Sequence, residues 1–450
     1  MLRRLFISLI LLQLFSCALV RTPTEDLNTI SDTNITSKNM FKHRSATKHH
    51  DLLHTRLELS IDWRSRRLDG EAYLLLKPYS QPQNTLTLDA QYMDIKTVCL
   101  VLGNEKNPLS FKYDSTKLNI NLGRSYIAEE EFLIYIEYVA CPERVKGEDK
   151  GLYFIDKPSV DSLPIQLWTQ GETDGASAWF PCIDVPNERC SQELFITVDN
   201  KWTTLSNGKL IHSSKNPDGT RTDYWKQDLP HAPYLFMLTV GQFYIHKDEW
   251  LKRPLWYYVD SAYAPYAKDI FGKTGKMLDF YSQLLDYYYP WDKYSQVVVK
   301  DFISGAMENT SASVFYNGLH MTDRELKDFN HEDIIAHELF HHWFGDLVTC
   351  ESWSHIALNE AFATYGEYLW FEYEYGKDRA AELITHYKDS YFRASEEGQH
   401  SLVRNYYDKP SEVFDTHSYE KGSAILHMLR EHLGYDIFIK GLRYYLKKHS

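Results

Sequence analysis

The segment His337-Glu338-Leu339-Phe340-His341 contains residue types with the spacing of a metal site. On a helix, side chains at positions i and i+4 lie on the same face, so both imidazoles would point in one direction. One zinc ion could take a nitrogen from each ring at about 2.0–2.1 Å. The five-residue pattern alone is moderately specific, because incidental histidines on a core or surface helix also produce it.

A candidate for the third ligand is Glu360, which lies nineteen positions after His341. A catalytic zinc uses three protein ligands and keeps one position open, and His-His-Glu is a recurrent set. The sequence therefore predicts one Zn²⁺ per chain on His337, His341 and Glu360. Glu338 is predicted to be the general base that takes a proton from the zinc-activated water.

Four further motifs accompany this constellation in the chain. They are Thr169-Gln170-Gly171-Glu172, Phe180-Pro181-Cys182-Ile183-Asp184, Gly305-Ala306-Met307-Glu308-Asn309 and Tyr419-Glu420-Lys421-Gly422. Together with the histidine motif they resemble the thermolysin-like zinc aminopeptidases (gluzincins), the family of aminopeptidase N and leukotriene hydrolase, in a bacterial-like form. The resemblance covers the chain from roughly His54 to its end.

The resemblance implies roles for the residues of these motifs. Glu308 and Glu172 would bind the free N-terminal ammonium of a peptide through charge-assisted hydrogen bonds, with Gln170 as a nearby alternative. Tyr419 would donate a hydrogen bond to the oxygen that becomes negative in the tetrahedral intermediate. Backbone groups of the glycine-containing motif would hold the peptide as an added strand. The implied substrate-binding set is Glu172, Gln170, Gly305, Ala306, Met307, Glu308 and Asn309.

The predicted function is hydrolysis of the N-terminal residue from peptides with a free N-terminal amine. The alternative from another class is a catalytically weak or inactive peptide-binding relative, and epoxide hydrolysis at the same zinc would use the same residues. Glu308 disfavours an endopeptidase because it blocks the passage of a longer chain. Ala361 departs from the glycine that is usual after the zinc glutamate in the family. Asp346 is a candidate for orienting a ligand histidine.

Composition excludes some classes of partner. The 450 residues include 62 acidic and 49 basic side chains, for a net charge of -13. This balance disfavours nucleic acid as a partner, because sequence-independent binding needs a basic surface. Besides Cys17 there are five cysteines, and an odd number does not suit a scaffold built on disulfides.

The N-terminal segment is predicted to be an export signal, because Arg3 and Arg4 precede an apolar stretch over residues 5–15. Two processing alternatives remain open. The sequence up to Cys17 resembles a lipobox, which would attach lipid to that cysteine, whereas Ser16-x-Ala18 suits ordinary signal peptidase. The expected location is the cell envelope or periplasm, as a membrane-anchored lipoprotein, or secretion. The sequence leaves the oligomeric state open.

Hydrophobic patterning predicts a multidomain α+β protein. Period-two alternation, as in Leu57, Leu59 and Ile61, indicates strands, with turns at Asp69-Gly70 and over residues 216–219 and a buried strand over 234–243. Beyond Trp250 the apolar spacing lengthens toward the helical period. We therefore expect an antiparallel β-rich, saddle-like N-terminal domain followed by a mainly helical thermolysin-like catalytic domain.

The expected division of the chain has four parts. Residues 1–18 are the export signal, 19–50 a flexible tether, 51–243 the N-terminal β domain and 244–450 the zinc peptidase domain. Because the catalytic domain of the resembling family continues beyond the position of Ser450, we expect the C-terminal part of this domain to be missing.

Overall fold

The strands of the first half alternate buried and more exposed side chains, as a sheet with one face against a core requires. In the strand over residues 67–78, for example, every second side chain is buried. The computed structural model describes residues 43, 45–147, 149–156 and 165–450. Phe41–Ser450 forms one unit. The predicted signal and Cys17 lie outside the described residues.

Three sheets make up the first half of the described chain. The eight-stranded sheet has the order β13-β14-β11-β1-β2-β8-β4-β5, the four-stranded sheet β12-β15-β10-β9 and the three-stranded sheet β3-β7-β6. All pairings are antiparallel except that of β1 with β11. These strands are β1 (His50–Asp62), β2 (Arg67–Pro78), β3 (Gln83–Asp89), β4 (Asp94–Leu102), β5 (Glu105–Pro108), β6 (Phe111–Tyr113), β7 (Lys117–Tyr126), β8 (Phe132–Ala140), β9 (Leu152–Ile155), β10 (Gln166–Thr169), β11 (Cys190–Asp199), β12 (Thr203–Ser206), β13 (Lys209–Lys215), β14 (Thr220–His231) and β15 (Leu238–Gly241).

The second half begins with a five-stranded mixed sheet and continues into helices. The sheet has the order β16-β17-β18-β20-β19, with β16 (Tyr244–Trp250), β17 (Arg253–Val259), β18 (Tyr294–Val298), β19 (Ala306–Met307) and β20 (Ala312–Phe315). The helices are α1 (Ala267–Phe271), α2 (Thr274–Leu285), α3 (Glu332–Phe340), α4 (Ala357–Tyr375), α5 (Lys377–Ser395), α6 (Gly422–Leu433) and α7 (Tyr435–His449). The fold is therefore β-rich first and largely helical afterwards, as predicted.

The two halves share a hydrophobic core. One cluster of buried side chains runs from Leu57 in β1 to Val297 in β18 and Trp353 in the loop before α4. Polar contacts reinforce the junction, because the indole nitrogen of Trp168 donates to the Lys300 carbonyl at 3.0 Å. A second cluster fills the space between the five-stranded sheet and the helices. The first half therefore supports the helical part directly.

Two local predictions were wrong. Asp69-Gly70 is not a turn but lies inside β2, where a Cβ on Gly70 would stand 2.3 Å from the ring of Tyr138. The glycine is needed for close packing against that ring. The segment 234–243 is only partly a strand, since β15 covers Leu238–Gly241 after a 3-10 turn. The turn over residues 216–219 is confirmed between β13 and β14.

The five cysteines within the described residues are free and buried, in agreement with a scaffold not built on disulfides. Within the same residues, no helix is long and apolar enough to cross a membrane.

Candidate active site

Helices α3 and α4 bring the three predicted zinc ligands together. The Nε2 atoms of His337 and His341 are 3.0 Å apart. Each lies 3.3 Å from the same carboxylate oxygen, Oε2 of Glu360. The helices can approach closely because Gly366 of α4 faces the ring of Phe340. His337 on α3, His341 directly after its last residue and Glu360 on α4 therefore converge on one point.

The outer nitrogens of both imidazoles are held by hydrogen bonds. His337 Nδ1 lies 2.7 Å from Glu367 Oε1, and His341 Nδ1 lies 3.0 Å from the Phe344 carbonyl. Both Nδ1 atoms therefore act as donors, which leaves the two Nε2 lone pairs to face each other. Tyr387 of α5 in turn donates to Glu367.

Glu367 was not predicted from the sequence. Its only signal was its position seven residues after Glu360, which places it two turns further along the same helix face. Asp346, the residue suggested for orienting a ligand histidine, instead lies 3.7 Å from the Nε2 of His342. His342 is not part of the convergent cluster, because its Nε2 accepts the Ser311 backbone N–H.

The donor set fits a zinc ion. In a tetrahedral site with metal–ligand distances of about 2.0–2.1 Å, ligand atoms are about 3.3 Å apart, which is close to the separations found here. Two unprotonated nitrogens and a carboxylate oxygen at such distances repel one another unless a cation lies between them. Burial would raise the pKa of Glu360, but protonated His341 and His337 outweigh burial and lower this pKa to about 2. A zinc ion bound to the same nitrogens would replace those protons and favour the ionised carboxylate in the same way. Glu360 is therefore ionised, as a metal ligand must be.

Glu338 is buried beside the three converging side chains. Its Oε2 has no hydrogen-bond partner in the described part of the chain. Burial raises the pKa of Glu338 to about 8, against the opposing effect of His337 and His341. A buried carboxyl group with a free oxygen is suited to accept and return a proton once a nearby cation favours its ionised form.

Glu172 and Glu308 lie on the same site. Oxygen atoms of Glu172, Glu308 and Glu360 are all within 4.8 Å of one another. Burial raises the pKa of Glu308, and burial followed by the charge of Glu308 raises the pKa of Glu172 well above its ordinary value. One oxygen of each of Glu172 and Glu308 is buried without a hydrogen-bond partner in the residues described. Each of these two oxygens therefore lacks a hydrogen-bond donor within the described residues, although Glu308 Oε1 lies 3.9 Å from His341 Nδ1.

The remaining predicted substrate-binding residues surround these carboxylates. Gln170 donates to the sulfur of Met307 at 3.3 Å, and its own amide oxygen is buried and unpaired within the described chain. Asn309 donates to the Leu235 carbonyl at 3.3 Å. Gly305 and Ala306 lead into β19, which is the last strand in the order of its sheet. Within the described residues the outer edge of β19 pairs with no further strand, which is the arrangement that addition of an extended peptide requires.

Tyr419 lies in a short π-helix over His417–Lys421, directly before α6. Its ring centroid is 6.0 Å from that of His337, and the two rings are almost parallel. Burial and the charge of Glu360 raise the pKa of Tyr419 well above its ordinary value. The phenol therefore keeps its proton and can donate a hydrogen bond.

The departure at Ala361 is accommodated by a glycine on the neighbouring segment. A Cβ on Gly422 would stand 2.4 Å from the Cβ of Ala361. The methyl group of Ala361 thus occupies the space that a side chain at Gly422 would need. This contact joins α4 to the start of α6 just after Tyr419, and the ligand set remains intact.

Comparison with known families agrees with both halves of the fold. The Peptidase M1 N-terminal domain matches residues 46–235, and the Peptidase family M1 domain matches residues 270–450. The chain belongs to peptidase family M1. The same order of domains is found in a crystal structure of an M1 zinc metallopeptidase from Deinococcus radiodurans, with a TM-score of 0.75. That likeness has 21% identity and covers 90% of this chain and 88% of the other, and it shows the shared fold.

Relatives within the M1 family include named aminopeptidases. Human endoplasmic reticulum aminopeptidase 1 is 28% identical over 433 residues, which cover 89% of this chain and 43% of the relative. Aminopeptidase N of Canis lupus familiaris is 30% identical over 302 residues, which cover 62% of this chain and 30% of the relative. The chain thus spans less than half the length of these M1 relatives.

Proposed function

We propose that this M1 family member is a zinc-dependent metallo-aminopeptidase that hydrolyses the N-terminal residue from peptides. The observation that carries the proposal is the position of Glu172 and Glu308, within 4.8 Å of the carboxylate of Glu360. Endopeptidase chemistry would not require two further buried carboxylates beside the ligand set. An aminopeptidase needs them to bind the ammonium group one residue from the cleaved bond.

Electrostatics supports the same assignment. The raised pKa values of Glu172, Glu308 and Glu338 have burial as their main cause, and mutual repulsion adds to it. Two cations would relieve this repulsion, namely the zinc ion among His337, His341 and Glu360 and the ammonium group of the substrate. An acetylated amino end carries no charge and would leave the repulsion in place.

Each residue of the site would perform a different step of the reaction. When bound, zinc lowers the pKa of water toward about 7 and polarises a carbonyl group. Glu338 takes the proton of the attacking water and passes it to the departing amine. Tyr419 donates its phenol hydrogen bond to the carbonyl oxygen as that oxygen becomes negative. The edge of β19 holds the peptide in register, while Glu172 and Glu308 fix its amino end.

The test is hydrolysis of aminoacyl anilides with free and with acetylated amino ends, together with zinc stoichiometry of the purified protein. We expect one zinc ion per chain and cleavage of the free-amine substrates alone. Equal rates on both substrates would contradict the aminopeptidase assignment. Full zinc occupancy without hydrolysis of any substrate would favour a peptide-binding relative.

The proposal extends to the organisation of the chain. We assign residues 51–243 to the domain that carries Glu172 and residues 244–450 to the zinc peptidase domain. The start of the five-stranded sheet at Tyr244 supports this boundary. Limited proteolysis checks it, with first cleavage expected outside the shared core.

The cellular location belongs to the same proposal. The arginines and apolar stretch at the N-terminus support export to the cell envelope or periplasm, with either lipid on Cys17 or secretion. The mass of the mature protein separates the two forms. A lipid-modified Cys17 would add acyl mass that Cys17→Ala removes, whereas cleavage after Ala18 would give the same mature mass for both.

A further inference from the structure

His400 contacts the chain on both sides of Tyr419. Its Nε2 lies 2.6 Å from Oδ2 of Asp415. Its backbone N–H donates to the ring of His417 at 3.4 Å, and its carbonyl accepts the Lys421 ammonium at 3.0 Å. These three partners lie four and two residues before the tyrosine and two residues after it. One residue from a separate loop therefore holds the segment that carries the phenol.

Asp415 fixes the start of this segment. Its Oδ1 accepts the backbone N–H groups of His417 at 3.0 Å and of Ser418 at 3.3 Å. Its own carbonyl accepts the backbone N–H of Tyr419 at 3.2 Å. The orientation of Asp415 therefore sets the first turn of the π-helix. Short π-helical turns are rare and depend on such specific support.

A short hydrogen bond joins His400 to Asp415. His400 Nε2 donates to the Asp415 carboxylate at 2.6 Å, and Nδ1 lies 2.8 Å from the Ser401 carbonyl. Arg404 approaches the same carboxylate oxygen at 3.4 Å. The side chains of His400 and Asp415 are 24% and 30% exposed, so solvent screens the pair in part.

A second metal site at this cluster is the competing interpretation, because His400, Asp415 and His417 bring ligand atoms within 4.8 Å. The ring geometry disfavours it. The rings of His400 and His417 are stacked at 3.8 Å with an angle of 23°. Their in-plane lone pairs therefore run nearly parallel and do not converge on one ion. The guanidinium of Arg404 adds a positive charge at the carboxylate.

We propose that His400 is a positioning residue for Tyr419 and acts through its hydrogen bond to Asp415. The inference rests on the proposed function, because it connects His400 to the reaction through the phenol. The His400 ring holds the Asp415 carboxylate, and the carboxylate holds the first turn of the π-helix. That turn directs the hydroxyl of Tyr419 toward the proposed zinc ligands.

The first test is a double-mutant cycle between His400→Ala and Tyr419→Phe in the full chain. We expect His400→Ala to lower kcat roughly 10- to 100-fold, with KM and zinc content nearly unchanged. In the Tyr419→Phe background the same change should alter kcat by less than about twofold, since the positioned group is gone. Equal effects in both backgrounds, or a rise in KM alone, would overturn the proposal. His400→Gln, which keeps one donor toward Asp415, serves if the alanine variant fails to fold.

The second test measures local opening of the π-helical segment and does not require catalytic activity. Hydrogen exchange of peptides covering residues 413–421 should speed up about tenfold in His400→Ala and stay unchanged in the control His432→Ala, whose side chain is exposed on α6. If the wild-type protein hydrolyses no peptide, the proposed function fails, and unchanged exchange in His400→Ala would separately overturn the positioning role. Two zinc ions per wild-type chain, falling to one in His400→Ala, would overturn it in favour of a second metal site.

Discussion

At the scale of single residues, replacement of Glu338 tests catalysis separately from metal binding. Glu338 lies beside His337 in the sequence, but it is absent from the converging ligand atoms and keeps one buried oxygen without a partner in the described chain. Glu338→Gln should therefore leave zinc stoichiometry unchanged and lower kcat by roughly 10²–10⁴-fold, the range for loss of a general base. Metal analysis and steady-state kinetics check this, with the exposed Glu351→Gln as control. Loss of zinc together with activity would contradict the assignment.

Glu308 allows a test of amine recognition at the same scale. Replacing it with Gln removes a buried negative charge and keeps the shape of the side chain. For substrates with a free amine we expect kcat/KM to fall about 10- to 100-fold, because a hydrogen bond to a charged group contributes about 1.5–3 kcal/mol. The ratio of rates on free and acetylated substrates measures the effect directly. A proportional loss on both substrates would show that Glu308 has another role.

At the scale of elements, helix α4 carries both Glu360 and Glu367. The second carboxylate holds His337 through a 2.7 Å contact to Nδ1. Glu367→Gln should weaken zinc affinity by about 10- to 100-fold, as is typical for the loss of a partner that orients a metal ligand. Competition with a chelator measures this affinity. Glu382→Gln on the exposed side of α5 provides the control. Equal zinc affinities in the Glu367 and Glu382 variants would contradict the role of Glu367.

The contact between α3 and α4 depends on Gly366. A Cβ at this position would lie 2.6 Å from the Phe340 ring, so Gly366→Ala must push the two helices apart. We expect a loss of about 1–3 kcal/mol in the free energy of unfolding and weaker zinc binding. Gly441→Ala on α7, where a Cβ meets nothing within 4 Å, should instead be neutral or stabilising. Denaturant unfolding of both variants checks the contrast. A neutral Gly366→Ala would contradict tight packing of the helices.

The same elements show what the sequence could and could not predict. His337 and His341 were recognisable because helix geometry fixes which positions share a face. Glu360 was recognisable because His-His-Glu is a recurrent zinc ligand set. Glu367 was not recognisable from the sequence, because its contact with His337 depends on how the two helices pack. The five-stranded sheet also escaped prediction, since β18 and β20 are buried along their whole length and show no alternation. The glycine at position 70 was taken to indicate a turn. It is needed instead because the ring of Tyr138, on another strand, packs against it, and the sequence does not show this contact.

At the scale of the whole molecule, the proposed β domain positions half of the amine-binding site, so the two halves must behave as one body. Asn207, in the loop between β12 and β13, makes this connection. Its amide donates to the carbonyls of Leu235 at 2.9 Å and Thr310 at 2.8 Å, two residues after Glu308. It also accepts the backbone N–H of Met237 at 2.8 Å.

Asn207→Ala would leave these buried backbone groups without partners. We expect a loss of roughly 2–4 kcal/mol in the free energy of unfolding and a higher KM, because the segment after Glu308 loses its support. Asn104→Ala, at an exposed position in the hairpin between β4 and β5, is the matched control and should change both quantities little. Since one hydrophobic core runs through both halves, calorimetry should show a single unfolding transition for the wild-type protein and for Asn207→Ala. Two separated transitions would mean that the β domain and the zinc domain unfold independently, and that Glu172 is not held rigidly against Glu308.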